Sequence, residues 1–295
     1  MFLKNIGLVL EGGGMRGAYT SGVLDALMDE NIKVSYVIGV SAGANNGADF
    51  VAEQRERNKK VFVDIVGDKR YLGISNLLKE GSYFGMNFLF DKVPNELVPF
   101  DYETFFNSPV TLKVCATDCE IGQPVYFEHK DFQPKYFVEK ILKASCSLPI
   151  ISLPVEINGK KYLDGGMVDP IPIEKSIDDG NPYNIIILTR NKNYRKTPSK
   201  WGFLTNVFLY KYPKLIKILK TRYKKYNNCI ERINDLENRG HVYVFRPEKE
   251  LSVDRFEKDV SKLNDLYEQG YYETMNQMKH FKKWIKSIEE GSTTV

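Results

Sequence analysis

The chain has 295 residues, a hydrophobic share of 42% and a net charge of +4. This is enough chain for one large domain or a domain with an extension, of ordinary globular composition. Four sparse, irregularly spaced cysteines exclude a disulfide scaffold, the absence of an apolar run near eighteen residues excludes a membrane-spanning helix, and no repeat or low-complexity tract appears.

Residues 6–10 (I-G-L-V-L) read as a buried strand of a parallel sheet. A glycine cluster follows, Gly12-Gly13-Gly14-Met15-Arg16-Gly17, and then apolar residues at helical spacing to Met28. Residues 34–40 form a second β-branched run, ending at Gly39-Val40-Ser41-Ala42-Gly43, and residues 42–50 read as a second helix. Strand, loop and helix, repeated within about fifty residues, imply a parallel sheet with helices on its faces. Residues 60–108 carry aromatic and glycine-rich stretches that fit either a mobile cover or an insertion packed on the sheet. Residues 111–117 and 125–128 read as neighbouring strands, 183–188 as another buried strand, and 242–245 as a last one. Residues 254–288 read as one or two closing helices, with Gly270 as the expected break.

The two glycine loops carry the chemistry. A sharp strand-to-helix turn lifts the Ser41 hydroxyl above the sheet, and Gly39 and Gly43 flank it because side chains there would clash. The helix beginning at Ala42 aims free amides at the same spot. Gly12, Gly13 and Gly14 allow several amides to converge on one point, a nest for an oxyanion. Arg16 and Gly17 support that loop, Arg16 adding either order or positive potential. The cluster also fits the dinucleotide pattern G-x-G-x-x-G, but the second strand ends in Gly39-Val40-Ser41 without the acid that would hold a ribose.

A serine nucleophile needs a base. The chain has three histidines. His129 lies in a polar stretch expected to be a loop, and His280 in a charged helix. His241 precedes a strand and is the credible triad member; the order Ser41, Asp164, His241 matches that of α/β-hydrolases, although Ser41 arrives earlier than that fold places it. The other candidate is Asp164, delivered by a strand to the turn Asp164-Gly165-Gly166. Its ordinary pKa near 4 is low for a base unless desolvation raises it, and Asp-Gly is also a plain turn signal. From the residues alone, both bases and the turn stay open.

Between residues 190 and 230 there is no Asp or Glu, against twelve Lys and Arg interleaved with aromatic and aliphatic residues. Pro213 is expected to kink or split the helical pattern. Such a segment, 200–225, is expected to dock peripherally on an anionic membrane; a core-packed helix pair with a solvated basic face is the alternative. Nucleic acid is not expected as a partner, because no binding module accompanies the charge. Residues 1–5 run straight into the first strand, so no signal peptide is expected, and a cytoplasmic location at the inner membrane surface is the expectation.

Four blocks together resemble the patatin-like phospholipase family: Gly12-Gly13-Gly14-Met15-Arg16-Gly17, Gly39-Val40-Ser41-Ala42-Gly43, Ala144-Ser145-Cys146-Ser147-Leu148-Pro149 and Asp164-Gly165-Gly166, continued by Asp169-Pro170-Ile171-Pro172. The resemblance spans about residues 5–190. It implies an α/β three-layer sandwich with a mainly parallel central sheet in residues 1–190, leaving 191–295 as a basic, aromatic-rich helical extension with one strand near 242–246. It implies a serine lipid acyl hydrolase with Ser41 as nucleophile, Asp164 as base and the amides of Gly12, Gly13 and Gly14 as oxyanion hole. It implies a lipid ester substrate and neither metal nor organic cofactor, and it moves His241 to a structural role. Cys146 stands where the family often has a small residue, and is read as packing.

Overall fold

A computed structural model describes residues 1–198 and 202–292. Eight strands make one sheet: β1 (Phe2–Leu10), β2 (Lys33–Val40), β3 (Thr111–Asp118), β4 (Pro124–Glu128), β5 (Val155–Ile157), β6 (Lys160–Asp164), β7 (Tyr183–Ile187) and β8 (Val242–Phe245). The path is β5-β6-β3-β2-β1-β7-β8, with β4 paired to β3. Strands β3, β2, β1, β7 and β8 are mutually parallel. Antiparallel pairing enters only beyond β3, where β4 and β6 join it and β5 joins β6.

The strands bury both faces, which is why they read as continuous apolar runs. Along β1, Leu8 and Leu10 face one core and Val9 the other; along β7, Ile185 and Ile187 face the first, Ile186 the second. The first face is covered by α1 (Gly17–Asp29), α2 (Ala42–Val51) and α5 (Val260–Ser292). The second is covered by α4 (Pro213–Asn238), through Tyr226, Ile230, Ile233 and Leu236. Helix, sheet and helix therefore stack in three layers, as the motifs imply.

Pro213 splits the basic segment as expected. A short helix α3 (Gly202–Phe208) precedes it, and Pro213 opens α4 at the first turn, where a missing amide costs nothing. Lys200 and Trp201, part of the expected membrane-docking stretch, lie outside the described residues.

Two expectations are corrected. Gly270 does not separate helices: α5 runs through it unbroken. A Cβ on Gly270 would stand 2.2 Å from the Tyr19 carbonyl oxygen, and one on Gly22 of α1 would stand 2.0 Å from that of Tyr267. The glycines let α1 and α5 approach backbone to backbone, a packing requirement that mimics a break signal in sequence. Tyr267 then reaches Asp25 at 2.7 Å, and Tyr19 reaches Glu273 at 2.8 Å. His129 does not lie in a loop: it opens a 3-10 helical turn, His129–Asp131, directly after β4. It is fully buried, its Nδ1 accepts the Leu112 amide at 3.1 Å, and its ring packs on Phe105 and Phe137. Burial pushes its pKa down to about 4, so it is a neutral core residue.

Candidate active site

Ser41 follows β2 directly and caps α2 with φ 55° and ψ −128°. A non-glycine residue holds positive φ at a cost of about 1–3 kcal/mol and only where its surroundings impose it. The neighbours here leave no room to relax. A Cβ on Gly39 would stand 2.8 Å from the Ala44 nitrogen, and one on Gly43 would stand 2.5 Å from the Leu10 carbonyl oxygen. The Ser41 amide donates to Ser145 Oγ at 2.8 Å, and that hydroxyl donates to the Cys115 carbonyl at 2.7 Å. A buried serine thus pins the turn to β3. The Ser41 carbonyl accepts from Ala44 and Asn45, starting α2 and leaving the Ala42 and Gly43 amides at its free end.

The glycine cluster bends over the same point. A Cβ on Gly12 would stand 3.1 Å from that of Ser41, and Gly14 has φ 58°. Among the described residues, the amides of Gly12 and Gly13 donate to no protein acceptor. Met15 is held instead by the Arg255 carbonyl at 3.3 Å, so a C-terminal loop fixes the far end of the cluster. Arg16 is buried, its Nε has no partner, and burial, with Arg190 and Arg255, pushes its pKa down to about 10.

Asp164 ends β6 and is buried. Its Oδ1 accepts the Gly166 amide at 2.7 Å, while Oδ2 is buried without a hydrogen-bond partner. Burial raises its pKa above the carboxylate range; the Ser41 hydroxyl, the Arg222 guanidinium and the Gly166 amide act the other way. The turn is fixed on every side. The Asp164 amide donates to the Ser147 carbonyl at 2.8 Å, Thr117 donates to the Asp164 carbonyl at 2.7 Å, and Gly165 lies so close to β3 that a Cβ would stand 2.3 Å from the Cys115 carbonyl. Arg222, from the middle of α4, donates its Nε to the Gly166 carbonyl.

Ser41 stands where two cavities meet. The first is apolar, running between α2 and the 60–108 segment past Val61, Phe62, Met86, Phe90, Val93 and Phe100. That segment is therefore the packed wall of a cavity, with Phe84, Met86, Phe88 and Phe90 in the core. Its helical turns are irregular, including a π-helical stretch Phe88–Leu97 around Pro94, so no regular periodicity announced it. The second cavity is polar and holds Gly12, Gly13, Gly14, Asp164 and Gly166, with Arg16, Arg190, Lys196, Arg222 and Arg255. Ser41 and Asp164, far apart in sequence, thus share one pocket. A strained hydroxyl, a buried carboxylate with a free oxygen and unengaged amides form the equipment for acyl transfer.

His241 is elsewhere. It is exposed, its ring contacts Tyr183, and it enters β8 at the end of the sheet opposite Ser41. Four residues of rise place it roughly 13 Å from the level of the strand ends, and β8 is three strands from β2. His280 is exposed on α5. No histidine approaches Ser41. The positioning roles of Ser145, Ser147 and Arg222, and the basic pocket, were not readable in advance; the acid-free run 190–230 was the one signal of the latter.

A model of the patatin-like phospholipase family matches residues 8–177, and a model for a domain of unknown function (DUF6363) matches residues 212–286. The chain is similar to the uncharacterised Escherichia coli protein YjjU, 27% identical over 204 residues that cover 65% of this chain and 54% of that protein. It is also similar to the probable lipid hydrolase 463L of Invertebrate iridescent virus 6, 26% identical over 224 residues that cover 68% of this chain and 75% of that protein. The chain thus spans about half the length of the first relative and three quarters of the second. Among solved structures, VipD from Legionella pneumophila superimposes with a TM-score of 0.52 at 14% identity, covering 96% of this chain and 67% of that one, a likeness of fold.

Proposed function

The chain belongs to the patatin-like phospholipase family, and on that footing we propose that it hydrolyses acyl esters of lipids with Ser41 as nucleophile and Asp164 as base. The observation that carries the reading is the shared pocket: the Ser41 elbow, the unpaired Asp164 Oδ2 and the unengaged Gly12 and Gly13 amides face one space.

Asp164 takes the proton of Ser41 as Oγ attacks the ester carbonyl carbon. The carbonyl oxygen becomes an oxyanion held by the amides near Gly12, Gly13 and Gly14, each donor lowering the barrier by roughly 2.7–4 kcal/mol. Collapse breaks the bond to the alcohol, which leaves with the proton from Asp164. Water then attacks the acyl-enzyme, giving its proton to Asp164; collapse returns Ser41 and releases the fatty acid. Burial suits Asp164 to this work, because a carboxylate whose pKa is raised is a stronger base than an ordinary one. The acyl chain lies in the apolar cavity, which opens at Ser41.

Access to lipid is by peripheral contact through the 200–225 segment. Val207, Phe208 and Tyr210 are exposed beside Lys211, Lys214 and Lys217, an apolar tip with a basic surround. Each lysine near an anionic surface contributes about 1 kcal/mol. Among the described residues no helix is long and apolar enough to cross a membrane. The reading is tested with a fluorophosphonate probe: wild type is labelled at Ser41 and releases fatty acid from lipid esters, and Ser41→Ala does neither. A labelled wild type without ester turnover on any lipid would contradict it.

A further inference from the structure

The polar cavity beside Ser41 holds five basic side chains and two carboxylates. Among the described residues, none of the five forms a salt bridge. The carboxylates are otherwise engaged. Glu11 accepts from the Thr189 amide at 2.6 Å, the Thr189 hydroxyl at 3.1 Å and Tyr226 at 2.9 Å, and Asp164 faces the nucleophile. The basic groups oppose one another: burial and then Arg222 push Lys196 below the usual ammonium range, and Arg255 disfavours charge on Arg16, Lys196 and Arg222 alike. Unpaired positive charge collected in a half-buried pocket is costly to the empty protein, and an anion relieves it. Arg16, buried with an unpartnered Nε, is the deepest of these donors.

The pocket also excludes a positive group. Its two tyrosine faces are already covered, Tyr194 by Arg190 at 4.4 Å and Tyr226 by Lys196 at 4.3 Å. Glu11 is engaged by Thr189 and Tyr226, Asp164 faces Ser41, and each tyrosine ring already carries a basic group, so a quaternary ammonium would meet like charge here. The leaving alcohol must emerge on this side, because the acyl chain takes the apolar cavity across Ser41.

We propose that this pocket binds a phosphomonoester on the alcohol part of the ester, making the preferred substrate an acylated glycerol phosphate rather than a neutral glyceride or a zwitterionic phospholipid. This rests on the acyl-hydrolase reading above. The recognition residues come largely from outside the family-matched core. Arg16 alone lies within residues 8–177, whereas Arg222 and Arg255 lie within residues 212–286. The C-terminal segment thereby acquires a role: it completes the active site with a headgroup receptor.

The test measures kcat/KM of the full chain on monomeric oleoyl-lysophosphatidate, oleoyl-lysophosphatidylcholine and oleoylglycerol. Wild type is expected to prefer lysophosphatidate by about tenfold or more. The doubly substituted Lys196→Gln, Arg255→Gln chain is expected to lose that preference, chiefly through KM for lysophosphatidate. Inorganic phosphate is expected to raise the wild-type KM for lysophosphatidate. Equal rates on the three esters in wild type would overturn the proposal while leaving the hydrolase standing. If, in addition, inorganic phosphate alters oleoylglycerol turnover, the pocket takes a free anion and not a headgroup. Absence of turnover on all three, with no fluorophosphonate labelling of Ser41, would instead sink the hydrolase reading and the proposal with it.

Discussion

The Ser145 hydroxyl accepts a hydrogen bond from the Ser41 amide at 2.8 Å and donates one to the Cys115 carbonyl at 2.7 Å. Three segments widely separated in sequence are joined by this one side chain, at 0% exposure. The same short block holds Asp164 through the Ser147 carbonyl. Ser41 and Asp164, the proposed nucleophile and base, are therefore aligned by one intermediary, and disturbing it should harm chemistry more than folding.

Ser145→Ala is expected to leave the Ser41 amide and the Cys115 carbonyl unpaired, at roughly 1–3 kcal/mol each for a buried group. A urea midpoint lowered in that measure, with kcat reduced and KM little changed, is the expected outcome. Unchanged kcat would show that the strained turn holds itself.

Arg222 donates to the Gly166 carbonyl and its charge favours ionised Asp164. Replacing it with Met removes that charge, so the Asp164 pKa rises further. Since the base acts ionised, the acidic limb of the kcat/KM profile is expected to move to higher pH. A profile that keeps its acidic limb while losing amplitude would mean that Arg222 acts through packing alone.

Val61 lines the apolar cavity and is half-buried. Val61→Trp is expected to shorten the cavity and lower the ratio of kcat/KM for a ten-carbon over a four-carbon acyl ester by about tenfold. A ratio equal to wild type would move the acyl chain out of this cavity.

Gly270→Ala pushes a methyl group to 2.2 Å from the Tyr19 carbonyl oxygen across the α1–α5 contact. Overpacking of this kind typically costs about 1–3 kcal/mol, and backbone cannot step aside as a side chain can. Thermal unfolding should show the loss; an unaltered midpoint would mean that α5 slides without penalty.

What the sequence disclosed follows the range of the interactions. The Ser41 elbow was legible because Gly39, Ser41 and Gly43 are neighbours whose residue types are dictated by a local turn. The burial of Leu8, Val9 and Leu10 on both faces of β1 was legible because an unbroken apolar run is local too. Asp164 was ambiguous from its own neighbourhood, since Asp-Gly-Gly is also an ordinary turn; the ordered set of blocks gave it a role. The tie from Ser145 to Ser41, the reach of Arg222 to Gly166 and the approach of Gly270 to Tyr19 link residues with no local signature. The basic run was visible as charge, but part of it points inward. Arg222 and Lys196 line the active-site pocket, whereas Lys211, Lys214 and Lys217 are exposed, and only the fold separates the two sets.

The central claim, a histidine-free dyad, is tested most directly by turnover of a medium-chain chromogenic ester at neutral pH by wild type, Ser41→Ala, Asp164→Ala and His241→Ala, each shown to be folded by circular dichroism. Ser41→Ala and Asp164→Ala are expected to lose activity by about a thousandfold or more, with His241→Ala within a factor of about two of wild type. An active Asp164→Ala protein, or a dead His241→Ala protein, would contradict the account.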